Sequence, residues 1–266
     1  MNLTPNQHNE FKINGYLQLN EIFNKNEIES LTNCVEEIER KPFPGHIYEK
    51  NNKEFRALHG CHLYSEIFNE LIRSPKLLNS AKEILNEDVY VHQLKVNLKK
   101  PFNGEQWPWH QDYVYWQKKD GILNDSIISV MIYLDDITEF NGPLFLIPKS
   151  HAIGCVEPIM TSEHKQEWNQ DVSSELSYQI DQSLVKNLIK ENGIVSSKGK
   201  KGTIVWFSGN IVHASPANIS PFQRRIIIIT YNGISNKPKI NVDEMRPEFL
   251  CARDTSPLFL TNAEIA

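Results

Sequence analysis

The spacing of apolar residues in the first third of the chain is typical of amphipathic helices. In residues 20–40, "NEIFNKNEIESLTNCVEEIER", apolar side chains recur at roughly helical intervals, which predicts a helix with one buried face. Residues 64–86 show the same period but contain Pro75, which fits the first turn of a helix better than its interior. We therefore predict two helices there, with the break at Ser74–Pro75, and interpret all these helices as supporting scaffold.

From about residue 89 the pattern changes to short runs of β type. The first run, "VYVHQLKVNL", alternates and is rich in β-branched residues, and the later runs are bounded by turn residues such as Asn-Gly and Pro. No regular helical pattern separates most of them, which favours an antiparallel barrel or sandwich over a parallel sheet. The predicted strands lie within residues 89–98, 126–137, 142–148, 202–209 and 224–234.

The length and these patterns predict one domain over residues 1–266. We expect helical support over about 1–88 and a β core over about 89–235. The polar, partly helical stretch 156–200 interrupts the strands, and we interpret it as an insertion that resembles a lid.

The charge and the apolar runs exclude several classes of partner. The net charge is −5 and "KGKK" at 198–201 reads as a solvated loop, so we expect no nucleic-acid partner. The N-terminal residues lack the apolar core of a signal peptide, and the longest apolar run, near residue 226, is too short to span a bilayer. The four cysteines are scattered without C-x-x-C spacing. We expect a cytoplasmic protein without a membrane partner, either a monomer or a homodimer.

Residues 107–116, "WPWHQDYVYW", combine a histidine and an aspartate with a high density of aromatic side chains. A buried carboxylate needs hydrogen bonds, an ion pair or a metal ion to compensate for its lost hydration. On an extended segment, His110 and Asp112 project to the same side of the chain and can reach one metal ion. His213, which follows a predicted strand, is the best candidate for a third ligand.

Two histidines and one carboxylate on one face of an ion leave three positions open, which is typical of non-haem Fe(II) oxygenases. Zinc instead favours a closed tetrahedral site or a single open position. An H-x-D pair alone is weak evidence, because a surface histidine beside a capping aspartate has the same spacing. A zinc enzyme or metal-dependent sensor on a similar barrel therefore stays open at this point.

Longer runs carry more information than the H-x-D pair. They are "WHQDYVYWQKKDG", "LDDITEFNGPLFLIPKSH" and "HASPANISPFQRR", in that order. From about residue 43 to 235 the chain resembles the phytanoyl-CoA dioxygenase superfamily, in particular its ectoine hydroxylase and free amino-acid (proline-type) hydroxylase branch. The resemblance implies a mainly β fold with flanking helices, a double-stranded β-helix or distorted, cupin-like jelly roll. It also implies Fe(II) as cofactor, with 2-oxoglutarate and O2 as cosubstrates.

The resemblance implies that His110, Asp112 and His213 are the catalytic iron ligands. Arg224, eleven positions after His213, matches the arginine that binds the distal carboxylate of 2-oxoglutarate. A guanidinium suits that role because it donates two parallel hydrogen bonds. Arg225 would point to the opposite face of a strand, and we interpret it as a surface charge. Asp112 favours hydroxylation over halogenation, since related halogenases carry a small residue there.

Further matches surround the expected cosubstrate and substrate, with core packing as the alternative for each. Gln93 and Phe207 match substrate-side positions, and Lys95 shares strand parity with Gln93 and Asn97. Lys95 and Ile228 depart from the ectoine hydroxylase pattern, which argues against ectoine itself. The residues predicted at the cosubstrate are Asn97, Ser129 and Trp116; those predicted at the substrate are Gln93, Lys95 and Phe207.

Other histidines receive structural interpretations. We read "NGPLFLIPKSH" at 141–151 as architectural, with His151 in a structural hydrogen bond. "HGCH" at 59–62 fits no standard zinc spacing and is interpreted as fold or lid surface, and His92 has no recognisable partner.

These observations predict a dioxygenase that hydroxylates an unactivated C–H bond of a small zwitterion, preferably a free amino or imino acid such as L-proline. Desaturation and cyclisation use the same oxidant and stay open. The alternatives are an ectoine-type hydroxylase, a tailoring oxygenase that acts on a peptide or secondary metabolite, and a non-catalytic binding protein with a degenerate jelly-roll pocket.

Overall fold

The computed structural model describes residues 1–50, 54–160, 168–261 and 265. Helices and strands are numbered below in chain order within these residues. The α-helices are α1 (Pro5–Asn14), α2 (Lys25–Arg40), α3 (Glu66–Leu71), α4 (Pro75–Leu85), α5 (Tyr113–Asp120) and α6 (Gln182–Asn192). The strands are β1 (Tyr16–Leu19), β2 (His46–Tyr48), β3 (Phe55–His59), β4 (Val89–Lys99), β5 (Trp107–His110), β6 (Ile127–Tyr133), β7 (Leu144–Leu146), β8 (Ile159–Met160), β9 (Tyr178–Gln179), β10 (Val195–Ser197), β11 (Ile204–Ser208), β12 (His213–Ser215) and β13 (Arg224–Gly233).

The predicted N-terminal helices are present, and their ends follow from local sequence. Helix α2 starts after Asn24, whose side chain accepts from the backbone of Glu27 while the Glu27 carboxylate accepts from the backbone N–H of Asn24. Helices α3 and α4 are separated at Ser74–Pro75, as predicted, and Ser74 caps α4. Helix α1 was not predicted. It has no buried residues and therefore no apolar stripe to detect, although Thr4 forms a capping box at its start.

Two antiparallel sheets form the body of the protein. The large sheet has the strand order β1-β11-β6-β13-β4-β3-β2, and the small sheet has the order β10-β7-β12-β5. Consecutive strands along the chain often lie in different sheets, which is the arrangement of a jelly roll. The predicted mainly β fold is thus confirmed, and all five predicted strands are present.

The large sheet buries both of its faces, and strand parity divides them. On β13, Ile227, Ile229 and Tyr231 belong to the cluster that packs against the helices, together with Leu31 and Leu78. The intervening positions face the small sheet, where Ile226 and Ile228 pack with residues of β6, β7 and β11. Polar side chains that share this inner parity lie inside the barrel, and the site is built from them.

Two predicted regions differ in detail from the structure. Segment 1–88 contributes β1, β2 and β3 to the large sheet in addition to its helices. These strands have three to five residues, too few to show a clear alternation. Within 156–200, α6 packs through Val185 and Leu188 in one apolar cluster with Ile147 and Val212, which adjoin strands of the small sheet. Strand β10 belongs to that sheet. Residues 161–167 of the proposed insertion lie outside the described residues.

No helix in the described parts of the chain combines the length and the apolar character that a bilayer span requires.

Candidate active site

The two candidate histidine ligands face each other because of strand pairing. Strands β5 and β12 are antiparallel neighbours, and His110 and His213 are direct partners in the register. Their side chains therefore project to the same side of the small sheet, into the barrel, with ring centroids 4.1 Å apart. Both residues are buried.

Asp112 joins them by a route that differs from the predicted one. The assumption of an extended H-x-D segment is wrong, because β5 ends at His110 and Asp112 has right-handed helical backbone angles (φ −68°, ψ −36°) at the start of α5. Asp112 makes no side-chain cap to that helix. Its Oδ1 lies 3.6 Å from His110 Nε2 and its Oδ2 lies 3.9 Å from His213 Nε2. The alternative of a surface histidine beside a capping aspartate is therefore excluded.

The ring orientations direct both Nε2 atoms at Asp112. His110 Nδ1 lies 2.7 Å from the carbonyl oxygen of Pro108, and His213 Nδ1 lies 2.9 Å from that of Ile211. A carbonyl oxygen only accepts, so each Nδ1 carries the proton and each Nε2 presents its lone pair. This arrangement leaves Nε2 of each ring as the atom that can bind a metal ion.

The electrostatics of the triad favour a neutral His213 and an ionised Asp112. Burial, reinforced by the neighbouring His110, lowers the pKa of His213 to about 3. For Asp112, burial alone would raise the pKa, but the charge of Lys95 and the neighbouring His110 and His213 together lower it below its ordinary value. The candidate ligand atoms of the triad all lie within 4.8 Å of one another. The donor set fits a divalent cation such as Fe(II), with ligands on one face and the other positions free.

Arg224 and Lys99 form a buried cationic pair further along the inner face. They are direct partners between β13 and β4 and are at most 1% exposed. Arg224 Nε donates to the carbonyl of Gly142 at 3.0 Å and Nη2 to Ser215 Oγ at 3.2 Å, while Nη1 has no partner among the described residues. Lys99 Nζ donates to Ser215 Oγ at 2.7 Å.

Neither cation makes a salt bridge with a carboxylate in the described part of the chain, which is unusual for buried charges. Burial lowers the pKa of Arg224 to about 10 and lowers that of Lys99 well below its ordinary value, with Arg224 adding repulsion at Lys99. A carboxylate bound here would offset both effects. The pair is therefore a candidate site for an anion.

Arg225 lies on the opposite face, as its parity predicts. It forms a bidentate ion pair with Asp135, at 2.8 and 2.9 Å, and a further bond to Glu36 at 3.1 Å. Its guanidinium has carboxylate partners, whereas that of Arg224 does not.

The other predicted residues lie on the same inner face. Asn97 occupies the row between Lys95 and Lys99, and its buried Oδ1 has no partner among the described residues. The Ser129 hydroxyl is 3.0 Å from Thr230 Oγ1, so part of its hydrogen-bonding capacity is already used. Phe207 packs against His213 with ring centroids 5.6 Å apart.

A small cavity adjoins the triad, and Arg224 is not among its lining residues. Gln93, Lys95 and Trp116 line it, together with His110 and Asp112 themselves. Lys95 Nζ lies 3.8 Å from Asp112 Oδ1, which places its charge beside the candidate metal site. The remaining lining residues are His59, Trp107, Tyr115, Asp171, Val172, Leu176 and Arg246.

His59 is a site residue that the sequence interpretation missed. It lines the cavity, and neither ring nitrogen has a hydrogen-bond partner within the described ranges. Burial, with repulsion from Lys95 and Arg246, holds its pKa well below the ordinary value, so the ring is neutral. The interpretation of His151 agrees with the structure, in which its Nε2 lies 3.2 Å from the carbonyl oxygen of Lys12.

A second missed feature is the buried network that holds Arg246. Its guanidinium donates to both oxygens of Asp120 at 2.7 Å, and His92 Nε2 lies 2.9 Å from the same carboxylate. Although His92, Asp120 and Cys251 are close enough to suggest a metal site, Arg246 already occupies the carboxylate. Burial raises the pKa of Cys251 to about 12, so its thiol stays protonated. The network therefore positions Arg246 at the cavity.

Comparison with known proteins identifies the family. The family model described as phytanoyl-CoA dioxygenase (PhyH) matches residues 11–226. The chain belongs to this family. This membership makes it a non-haem Fe(II)- and 2-oxoglutarate-dependent dioxygenase, which confirms the predicted enzyme class and cofactors and sets aside the binding-protein and zinc-enzyme alternatives.

Individual relatives of this dioxygenase extend over nearly the whole chain. It is 35% identical over 252 residues to L-proline trans-4-hydroxylase of Streptomyces griseoviridis, covering 94% of this chain and 93% of that protein. It is 33% identical to the ectoine dioxygenase of Bordetella bronchiseptica, covering 94% and 83%. Among solved structures, EctD from S. alaskensis with 2-oxoglutarate and 5-hydroxyectoine superposes with a TM-score of 0.85 at 27% identity, covering 99% of this chain and 89% of that chain.

Gly142 lies in the 141–151 segment, and its carbonyl accepts a hydrogen bond from Arg224 of the anion site. We predict that Gly142→Ala destabilises the fold around both. Its φ is +82°, and an added Cβ would lie 2.8 Å from Lys99 Cδ and from the carbonyl oxygen of Pro216. We expect the free energy of unfolding to fall by about 2 kcal/mol, since both strain and overpacking contribute. Urea denaturation measures it.

Gly154→Ala is the matched control, because Gly154 has φ +75° but an added Cβ would meet nothing within 4 Å. It should lose only about 1 kcal/mol from backbone strain. Equal losses in the two variants would contradict the packing argument.

Proposed function

We propose that this dioxygenase hydroxylates an unactivated C–H bond of a small zwitterion, a free amino or imino acid such as L-proline. The observation that carries the proposal is the cavity beside the candidate iron ligands, which is lined by two cations, the buried Arg246 and the largely covered Lys95. The cationic groups in this lining suit a substrate with a carboxylate. The likeness to an L-proline trans-4-hydroxylase favours an imino acid among such substrates.

In this proposal, His110, Asp112 and His213 hold Fe(II), which supplies the oxidising chemistry together with 2-oxoglutarate and O2. Arg224 binds the distal carboxylate of 2-oxoglutarate through its unpartnered Nη1, and Lys99 and Ser215 complete that subsite. Ser215 carries its hydroxyl between the two cations, so it helps orient both. Asn97 Oδ1 and the Ser129 hydroxyl lie on the same wall.

The other residues position the substrate and limit the access of water. Lys95 and Arg246 bind its carboxylate, and Gln93 lines the same wall with its amide donating to the carbonyl of Leu250 at 3.2 Å. Trp116 and Phe207 are almost fully buried and keep the surroundings of the triad dry. Holding the C–H bond in one orientation is the main contribution that the protein makes to such a reaction.

Lys99 tests the cosubstrate part of the proposal. We expect Lys99→Met to raise the KM for 2-oxoglutarate roughly 10-fold, because one charged hydrogen-bond donor is lost from a buried subsite. The KM for the amino acid should stay unchanged. Lys100→Met, next to it but partly exposed and paired with Glu39, is the control. If only the KM for the amino acid changed, the assignment of Lys99 to the 2-oxoglutarate subsite would be wrong.

An ectoine-type hydroxylase is the second candidate. It is supported by 33% identity to an ectoine dioxygenase and by the superposition with EctD. Ectoine is also a small zwitterion, so the charges that line the cavity do not separate the two substrates. A tailoring oxygenase has weaker support: the carbocyclase SnoK from nogalamycin biosynthesis superposes with a TM-score of 0.69 at 18% identity, which shows the shared fold alone.

A substrate screen separates these candidates. The protein, Fe(II), 2-oxoglutarate and air are incubated with each proteinogenic amino acid and with ectoine, and products are analysed by mass spectrometry. We expect one amino or imino acid to gain one oxygen atom, with equimolar succinate. Oxygen gained by ectoine alone supports the second candidate, and no gain with any compound contradicts both.

A further inference from the structure

A carboxylate, Asp171, lines the same cavity as the two cations. It belongs to the 3₁₀ helix Trp168–Val172 and is 6% exposed. Its Oδ1 accepts a hydrogen bond from Ser177 Oγ at 2.8 Å, which holds the segment in place. Its Oδ2 accepts no hydrogen bond among the described residues. A buried carboxylate oxygen without a donor is costly, so this atom needs a partner.

The one salt bridge of Asp171 in the described structure is loose. Its Oδ2 lies 3.8 Å from Arg246 Nη1, which is longer than a hydrogen bond. Arg246 has its strong contacts elsewhere, since Nε and Nη2 both donate to Asp120. A bound zwitterion can therefore replace the Asp171–Arg246 contact, and the protein loses only a weak internal ion pair.

The Asp171–Arg246 pair also lies where a substrate would enter. Both residues line the inner cavity and a surface groove formed with Lys118, Lys119 and Pro247. The pair therefore separates the groove from the cavity.

We propose that Asp171 binds the cationic amine of the substrate and selects for compounds that carry one. This inference rests on the proposed function. On binding, the amine takes the place of Arg246 at Asp171 Oδ2, and the carboxylate of the substrate takes the place of Asp171 at Arg246. Opposite charges then face each other at two points, which fixes the orientation of a small molecule and weakens the binding of compounds with only one of the two charges.

Asp171→Asn tests the inference, because it keeps the shape and the bond to Ser177 but removes the negative charge. The assay uses the amino acid that the wild type hydroxylates fastest, for which we expect L-proline. Its analogue without the amine, here called the deaminated analogue, serves as competitive inhibitor. For L-proline this is cyclopentanecarboxylate, in which a carbon atom replaces the ring nitrogen. Glu175→Gln is the matched control, since Glu175 is an exposed carboxylate of the same segment.

We expect Asp171→Asn to raise the KM for the amino acid roughly 10- to 100-fold, while the Ki of the deaminated analogue changes less than about twofold. The KM for 2-oxoglutarate should stay as in the wild type. An unchanged KM for the amino acid overturns the inference. So does an equal weakening of amino acid and analogue, since it means that Asp171 acts only through Ser177 to hold the segment.

Failure of the proposed function is distinguishable, because it is seen with the wild type alone. A wild type that hydroxylates no amino or imino acid overturns that proposal, and the inference about Asp171 with it.

Discussion

Asp112→Ala should abolish hydroxylation. The variant loses the carboxylate that lies 3.6 Å from His110 Nε2 and 3.9 Å from His213 Nε2. Two neutral histidines alone bind Fe(II) weakly and leave its charge uncompensated. We expect turnover to fall by at least about 1,000-fold, which is roughly 4 kcal/mol in transition-state free energy. Succinate formation and oxygen incorporation measure it.

The control for this variant is Asp88→Asn, a surface carboxylate whose salt bridge with Lys82 is 2.7 Å long. It should retain full turnover. Circular dichroism and thermal unfolding show whether Asp112→Ala keeps its fold, because the change also removes the carboxylate beside Lys95. Full turnover by a folded Asp112→Ala protein would mean that another carboxylate binds the iron.

Arg224→Ala should raise the KM for 2-oxoglutarate about 100-fold, with a far smaller effect on the KM for the amino acid. The guanidinium is buried, carries an unpartnered Nη1 and has no carboxylate partner in the described structure, so the distal carboxylate of 2-oxoglutarate is its expected ligand. A charged hydrogen bond of this kind in a buried site contributes about 2.7 kcal/mol. Steady-state kinetics with each substrate varied in turn measure the two KM values.

Arg225→Ala is the natural comparison, because the adjacent residue has the same chemistry on the other face of β13. Its contacts with Asp135 and Glu36 are partly exposed. The variant should lose about 1 kcal/mol of stability and keep its KM for 2-oxoglutarate. A rise in that KM for Arg225→Ala and not for Arg224→Ala would show that the parity assigned to β13 is shifted by one residue.

Strand parity was the sequence signal that worked best. In "RRIIIITYNG" it separated Arg224 from Arg225, and in "VYVHQLKVNLK" it grouped Gln93, Lys95 and Asn97 on one face. The same rule extends to Lys99, which has their parity and which the sequence interpretation overlooked. Ser215 also carried a signal, since it follows His213 by two residues.

Other features left no trace in local sequence. Strands β5 and β12 have four and three residues, too short for a recognisable alternation, although their pairing brings His110 and His213 together. Arg246 lies in an irregular segment after the last strand and reaches the cavity only through the buried carboxylate of Asp120. The role of Asp171 depends in the same way on the tertiary fold, because Asp171 and Arg246 lie 75 positions apart in the sequence.

The proposal that His110, Asp112 and His213 hold the iron is tested most directly by an anaerobic titration. Fe(II) is added to the wild type and to Asp112→Ala in the presence of 2-oxoglutarate, and the visible spectrum is recorded. We predict a weak charge-transfer band that saturates at one iron per chain in the wild type and is absent from the variant. A band of equal intensity in the Asp112→Ala protein, or none in the wild type, would contradict the assignment of these ligands.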